Sequence, residues 1–415
     1  MLRFLLWRRH YDPLLLAAAM ACLVSKIRAD IVIFGFFLTV GLYLIAVRHR
    51  SLRYIDPVYA TGSCLYGIGA IVLGVAHWNF PDEIRWIGYP VYLMLGIAFF
   101  PSVTLVKDPL RQIVLGSRVG LALAVFIGVL EVLAGGERMG LGGNAANTAF
   151  VIAVAGVLAR MQVPSPPRLL PNSRLWFYLA AFAVIMTGTR SVLPIFLLGL
   201  LFDIFAFRRQ LLDGILRFPL KGLAAFGIVL AMGFTAIGYE LSSSIANRFE
   251  YTLTEFDSAL HFNEGRQDQE LTGLSIRLVL WQQALDVISH YPILGSGGES
   301  SMEEIQLGIP PDQRPIFAHY IHVHNFILDE LRIRGSLGLA LMLGFFVAVS
   351  WKLWASGLPE IRQALVLFLV SLTTYGSLHG VLLADRNIAL IAIFLTMMLL
   401  HLQKVEFWGR VRKAS

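Results

Sequence analysis

Apolar runs separated by short polar joints fill most of the chain, and many exceed the ~18 residues that cross a hydrocarbon core. Their lengths predict twelve transmembrane helices, over residues 11–25, 29–47, 56–76, 86–105, 112–134, 144–160, 174–188, 190–207, 218–238, 335–354, 362–382 and 387–404. No stretch alternates apolar and polar positions over about ten residues, the pattern a membrane β-barrel strand shows. The predicted fold class is therefore an all-α integral membrane protein of about twelve transmembrane helices. The pattern divides the chain into three segments: helices 1–9 over 1–238, a polar loop over 239–334, and helices 10–12 with a tail over 335–415. That loop is long for a connector, and long ordered connectors are usually functional. Within it, residues 240–249 read as a helix continuing from the ninth span and 257–270 as a mobile, polar stretch. Residues 272–289 read as an amphipathic helix with Leu274, Arg277, Trp281, Ala284, Leu285 and Ile288 at three- and four-residue intervals. Tyr291-Pro292 stops that helix, and Gly295-Ser-Gly-Gly298 makes a turn.

Composition agrees with the pattern. Of 415 residues, 57% are hydrophobic and 15% charged, against roughly 25% charged in a soluble protein. Cys22 and Cys64 both fall inside apolar spans and read as small buried hydrophobes, with no disulfide framework. Arg8 and Arg9 ahead of Leu14-Leu-Leu-Ala resemble a signal peptide, but a second span follows within a few residues, so a retained first helix is expected. Basic residues gather on one side: Arg3, Arg8 and Arg9, then Arg48, Arg50 and Arg53, and so on to Lys404, Arg410, Arg412 and Lys413. The short loops of the opposite face carry only Lys26, Arg28, Arg85, Arg138, Arg190 and Arg386. The positive-inside rule then predicts cytoplasmic N- and C-termini and a non-cytoplasmic long loop. The net charge of +7 thus reports topology and anionic membrane lipid, and no nucleic-acid motif accompanies it.

Candidate chemistry concentrates in His319-Tyr-Ile-His322-Val-His324-Asn325, which runs through Arg332 and Arg334 into the span at Gly335. Three imidazoles and two guanidiniums would sit at the mouth of a membrane helix, where charge is costly without a task. In an extended approach His322 and His324 share a face, as a metal pair would. No third ligand stands at a useful spacing, so zinc is not indicated. A neutral imidazole, with an ordinary pKa of about 6.5, can instead take a proton from a hydroxyl nucleophile. The plainer alternative is an interfacial histidine pair bonded to backbone or water. Arg190, in Thr187-Gly188-Thr189-Arg190, sits between two spans almost without a loop, and Arg277 lies one turn before Trp281. Guanidiniums bind phosphate oxygens two-pronged, which suits a lipid-borne diphosphate. Arg248 and Arg266 share the long loop and pair equally well with its many carboxylates. The glycine turn at 295–298 reads as a plain turn, with a backbone anion cradle as its alternative, and Asp385-Arg386 reads as a local ion pair. No P-loop, nucleotide-binding glycine fingerprint, Ser–His–Asp order or DxD-type metal motif is evident.

Taken in order, Thr-Gly-Thr-Arg190-Ser, Arg277-Leu-Val-Leu-Trp281-Gln-Gln-Ala284, Pro292-Ile-Leu-Gly295-Ser-Gly297, His322-Val-His324-Asn325-Phe-Ile-Leu and Gly335-Ser-Leu-Gly338 carry a resemblance. The chain resembles the O-antigen ligase/polymerase superfamily of bacterial envelope glycosyltransferases over its second half; the first six spans match in hydropathy alone. The resemblance implies a GT-C-like enzyme of the inner membrane with its active site facing the periplasm. Its donor would be glycan on undecaprenyl diphosphate and its acceptor a lipid A–core sugar hydroxyl, in lipopolysaccharide biosynthesis. His324 would be the general base. Arg190 and Arg277 would bind the diphosphate and offset leaving-group charge. Trp281, His322 and Asn325 would line the substrate site, and Arg248 and Arg266, which match no family motif, complete the candidate substrate-binding set. The family's reaction needs neither metal nor nucleotide cofactor and, as a single displacement, inverts the anomeric centre. A single dominant outer loop favours a ligase over an O-antigen polymerase or a protein O-oligosaccharyltransferase. A lipid or glycan transporter is the rival outside enzymes, but transporters place polar breaks at midplane in two matching halves, and here the polar residues gather at one face.

Overall fold

The structure, a computed structural model, describes residues 2–77, 83–136, 138–215 and 273–414. The predicted ninth span over 218–238, the start of the polar loop, Arg248 and Arg266 lie outside these residues. All regular structure among the described residues is helical. The helices are α1 (Leu2–Ser25), α2 (Ala29–Val47), α3 (Pro57–Ala76), α4 (Glu83–Leu95), α5 (Phe99–Val103), α6 (Pro109–Leu133), α7 (Ala145–Ala159), α8 (Leu175–Thr187) and α9 (Pro194–Ile215). After them come α10 (Gly273–His290), α11 (Gly298–Gly308), α12 (Arg314–Phe317), α13 (Phe326–Ala355), α14 (Pro359–Gly376) and α15 (Asp385–Ala414). Among the described residues, six stretches are long and apolar enough to cross a membrane: α2, α3, α4 through α5, α6, α13 and Asp385–Phe407 of α15. Shorter apolar helices cover Tyr11–Ser25, Ala145–Ala159, Leu175–Thr187 and Pro194–Ala206. This is an integral membrane helical protein, and eleven of the twelve predicted spans fall on described helices.

Helix starts follow local chemistry. Asp56 accepts from the amides of Val58 and Tyr59 ahead of Pro57, and Asn144 accepts from those of Ala146 and Asn147. Each carboxylate or amide oxygen satisfies N–H groups that the first helical turn leaves without partners.

Two compact units divide the chain: Met1–Leu197 with Ala284–Glu304 and Tyr320–Ser415, and Leu198–Gln283 with Ile305–His319. In the first, α15 is the central helix, with Leu390 through Leu400 almost wholly buried. Gly116 and Gly120 of α6 lie against the backbone of Ala17 and Ala21 in α1, so close that an added Cβ on either would overlap it. Small residues of this spacing let membrane helices approach and gain dispersion energy where water supplies no hydrophobic drive. One end of this unit is closed by Lys352 on Asp56 (2.6 Å), where Gln403 also donates (3.3 Å). At that end Arg118, fully buried, donates to the carbonyls of Ala159, Met161 and Leu170 and to Asn172 Oδ1. A guanidinium there satisfies the last carbonyl of α7, with two from the loop after it, and offsets the negative end of its dipole.

The α13 helix departs most from expectation. The predicted tenth span begins at Gly335, whereas the helix begins at Phe326 and Gly335 lies inside it with φ 63° and ψ −166°. In an unbroken helix the amides of Ser336 and Leu337 would bond the carbonyls of Arg332 and Ile333. Here they donate to Pro292 (2.8 Å) and Ile293 (3.1 Å) instead. The freed carbonyls of Arg332 and Ile333 accept from Ser296 (3.0 Å) and Gly297 (3.1 Å). Two helical bonds are thus exchanged for four with the inserted 292–297 segment, and the break leaves these groups satisfied, as a low-dielectric site demands.

In the second unit, Arg314 donates to the carbonyls of Ile309 (2.9 Å) and Leu307 (2.8 Å), closing the end of α11. The amphipathic helix predicted over 272–289 is present as α10, but its buried face differs. Val279, Leu280, Ala284 and Val287 are buried, while Leu285 is 56% exposed. At 100° per residue the buried stripe is centred one position from the predicted one.

Candidate functional site

Asn325 organises the site locally. Its Oδ1 accepts from the amides of Ile327 (3.1 Å) and Leu328 (3.2 Å), which starts α13 and ends the irregular segment before it. His324, immediately ahead, has φ 59°, a left-handed conformation that costs a non-glycine residue energy and often marks a functional position. That turn brings His322 and His324 onto one side, their ring centroids 4.2 Å apart. The two rings share a side, but through a left-handed turn at His324 and not through an extended approach. The His322 Nδ1 accepts from the His324 backbone N–H at 3.2 Å. A ring nitrogen that accepts carries no proton, so neutral His322 is protonated on Nε2 and offers a donor there.

Further rings surround the pair. Tyr320 meets His324 edge-on at 5.5 Å, and His379 does so at 6.2 Å. His379 stacks on Tyr375 at 4.5 Å, and the Tyr375 hydroxyl donates to Asn147 Oδ1 at 2.7 Å. Asn387 donates to the same oxygen at 3.2 Å. A row of polar groups thus leads from His324 into α7 and α15. Beyond Asn147 lies a cavity of about 20 Å³, room for about one water, bordered by Lys26, Thr148 and Arg386. Lys26 donates to the Gly140 carbonyl at 2.7 Å. Burial pulls its ammonium below the usual lysine range, Arg386 adds to that shift and Glu131 opposes it. Arg386 faces Asp30, with Nε 3.7 Å from Oδ2, in place of the expected pairing with Asp385; neighbouring helical residues do not face each other.

The two arginines expected at the helix mouth are structural. Arg334 is bidentate on Glu330 (2.7 and 2.8 Å), and Tyr66 donates to the same carboxylate. Arg332 is fully buried and donates to Asp329, Gly298 and Ser301. Both lie within α13, on the stretch before the Gly335 break.

The glycine turn does cradle an anion, but an internal one. The amides of Gly298 and Glu299 bind Glu83, at 3.0 and 2.8 Å, and Glu83 is 1% exposed. This carboxylate sits at the positive end of α11, the favoured place for negative charge.

Arg190 is exposed on the turn between α8 and α9, where Gly188 takes a left-handed conformation and Thr187 Oγ1 accepts from the Thr189 amide at 3.1 Å. Arg277 and Trp281 stand one turn apart on α10, both half-buried, in the second unit. His319 is exposed and also belongs to the second unit, and the His322–His324 turn belongs to the first. Among the described residues, no group of three or more His, Cys, Asp or Glu could hold a metal ion.

Sequence reading missed His379, because it lies inside the predicted span 362–382. The helix ends at Gly376, and the apolar Val381-Leu-Leu that extended the run forms a short 3₁₀ turn. The usable signal was Asn147 and Asn387, two amides inside otherwise apolar runs.

No curated protein matches the chain. Residues 175–343 match the family model described as O-antigen ligase. The matched segment takes in Arg190, Arg277, Trp281, the His322–His324 turn, Asn325 and the Gly335 break, and over it the chain is similar to the O-antigen ligase family.

Proposed function

We propose that this protein is an O-antigen ligase of the bacterial inner membrane. It would move a glycan from undecaprenyl diphosphate to a sugar hydroxyl of lipid A–core at the periplasmic face. The observation that carries this reading is the paired His322–His324 turn, fixed by Asn325 at the head of α13 inside the segment matching the family. In the proposed step, His324 accepts the acceptor hydroxyl's proton as that oxygen attacks the anomeric carbon. The bond from that carbon to the phosphate oxygen breaks, its electron pair leaves with undecaprenyl diphosphate, and the anomeric centre inverts. Arg190 and Arg277 offset the charge that grows on the leaving group, a form of stabilisation that is commonly the largest in such reactions. His322 contributes a hydrogen bond through Nε2. The lipid diphosphate supplies the driving force, so neither nucleotide nor metal is needed.

The test is to incubate purified protein with lipid-linked glycan and, separately, lipid A–core, a second lipid-linked unit, or a serine-containing peptide. Product with lipid A–core alone supports the ligase; product with the second unit or the peptide transfers the assignment to a polymerase or a protein glycosyltransferase. No product with any acceptor would turn the reading toward transport.

Lysine in place of Arg190 or Arg277 keeps the charge but loses the two-pronged fork. Each substitution is expected to lower kcat/KM about 10- to 100-fold, in line with loss of one charge-stabilising contact. Wild-type values in both lysine variants would remove the diphosphate-binding role.

A further inference from the structure

Asp329 is buried behind the histidine turn, and its contacts fix that turn from inside. Its Oδ1 accepts from the backbone amide of Val323 at 3.1 Å, between the two histidines. The same oxygen accepts from Arg332 Nε at 2.9 Å. Its Oδ2 lies 3.9 Å from His322 Nδ1, the atom that receives the His324 amide. Arg332 continues outward from this carboxylate. Its Nη1 donates to the Gly298 carbonyl (2.8 Å) and to Ser301 Oγ (2.6 Å), and Nη2 to the Ile321 carbonyl (3.4 Å). The indole of Trp86 covers the guanidinium at 5.2 Å.

Residues 321 and 323, on either side of His322, are therefore both tied to one buried ion pair. That pair is anchored in turn to the start of α11. A buried pair of this kind is poor evidence for stability, since desolvation offsets much of its attraction. Its directional contacts instead specify one backbone path. Without them His324 has little reason to hold a left-handed conformation that ordinary side chains avoid.

We propose that Asp329 and Arg332 are positioning residues for His324: they hold the His322–His324 turn in the one conformation that presents the His324 ring to substrate. The inference rests on the reading of His324 as the general base. Asparagine at 329 keeps an oxygen for Val323 and Arg332. It also puts an amide N–H donor where the carboxylate oxygen faced His322 Nδ1, which competes for the acceptor that His324's amide uses. Catalytic geometry is steep, and a displacement of about 1 Å can cost on the order of 100-fold.

The experiment compares Asp329→Asn, Ser301→Ala and His324→Ala in a reconstituted transfer assay, with thermal unfolding recorded for each. Asp329→Asn is expected to lower kcat by roughly tenfold or more while the KM for lipid-linked donor stays within about twofold. Ser301→Ala removes one partner of Arg332 and should act in the same direction, by about threefold. Ser301→Ala carries the test if Asp329→Asn fails to fold. An inactive His324→Ala beside wild-type kcat in the other two overturns the positioning role and leaves the base assignment standing. A rise in donor KM without a fall in kcat also overturns it. Normal turnover in His324→Ala overturns the base assignment, and the positioning role falls with it.

Discussion

Replacing His324 by alanine is expected to lower glycan transfer by about two to four orders of magnitude, the usual range for removing a general base. Insertion in the membrane and binding of lipid-linked donor should persist. Two effects must be separated, because His324 also occupies a left-handed backbone position, with φ 59°. Alanine is disfavoured there by roughly 1–2 kcal/mol, whereas asparagine tolerates it. His324→Asn therefore keeps the turn and removes the base. Both variants should fail in single-turnover assays with saturating donor, and the asparagine variant should unfold close to wild type. Near-normal turnover in the asparagine variant would transfer the proton-accepting role elsewhere. His322 is a poor substitute, since its Nδ1 is engaged by the His324 amide, which leaves Nε2 to carry the proton of a neutral ring.

The second large effect is on stability. Gly335→Ala is expected to destabilise the protein by about 3 kcal/mol or more, seen as a lower unfolding temperature in detergent. The backbone at φ 63° and ψ −166° is open to glycine almost alone, and other residues there cost on the order of 1–3 kcal/mol. A Cβ at this position would also overlap the carbonyl carbon and oxygen of Ile293, which are backbone atoms with little room to yield. Gly344, farther along α13, is the natural control, since a Cβ there meets nothing within 4 Å. Gly344→Ala should be neutral or stabilising by up to about 1 kcal/mol, because alanine favours helix. Equal behaviour of the two variants would mean that the break at Gly335 is not a structural requirement.

Membrane helices were legible because hydrocarbon imposes one dominant constraint on long segments. The span predicted over 29–47 coincides with α2, and that over 56–76 differs from α3 by one residue. Boundaries failed where hydropathy and hydrogen bonding part. Phe326–Arg334 is helical although it carries Asp329, Glu330, Arg332 and Arg334, because those charges satisfy one another internally. Residues 377–382 are apolar enough to extend a span but lie past the end of α14. Within the site, an extended approach to Asn325 would have placed His322 and His324 on one side; they do share one, but through the left-handed turn at His324, which the sequence does not mark. Glu83 was not: its partners, Gly298 and Glu299, are distant in sequence and offer only backbone amides, which leave no residue signature. For the same reason the exchange of hydrogen bonds at Gly335 could be read only from coordinates.

That exchange has a consequence for opening motions. The amides of Ser336 and Leu337 are closed by Pro292 and Ile293, and those of Ser296 and Gly297 by Arg332 and Ile333. Protons in two stretches far apart along the chain are thus sheltered by a common seam, and prising it apart bares all four together. In deuterated buffer they should be replaced in step, at a rate set by the seam and not by fraying within α13.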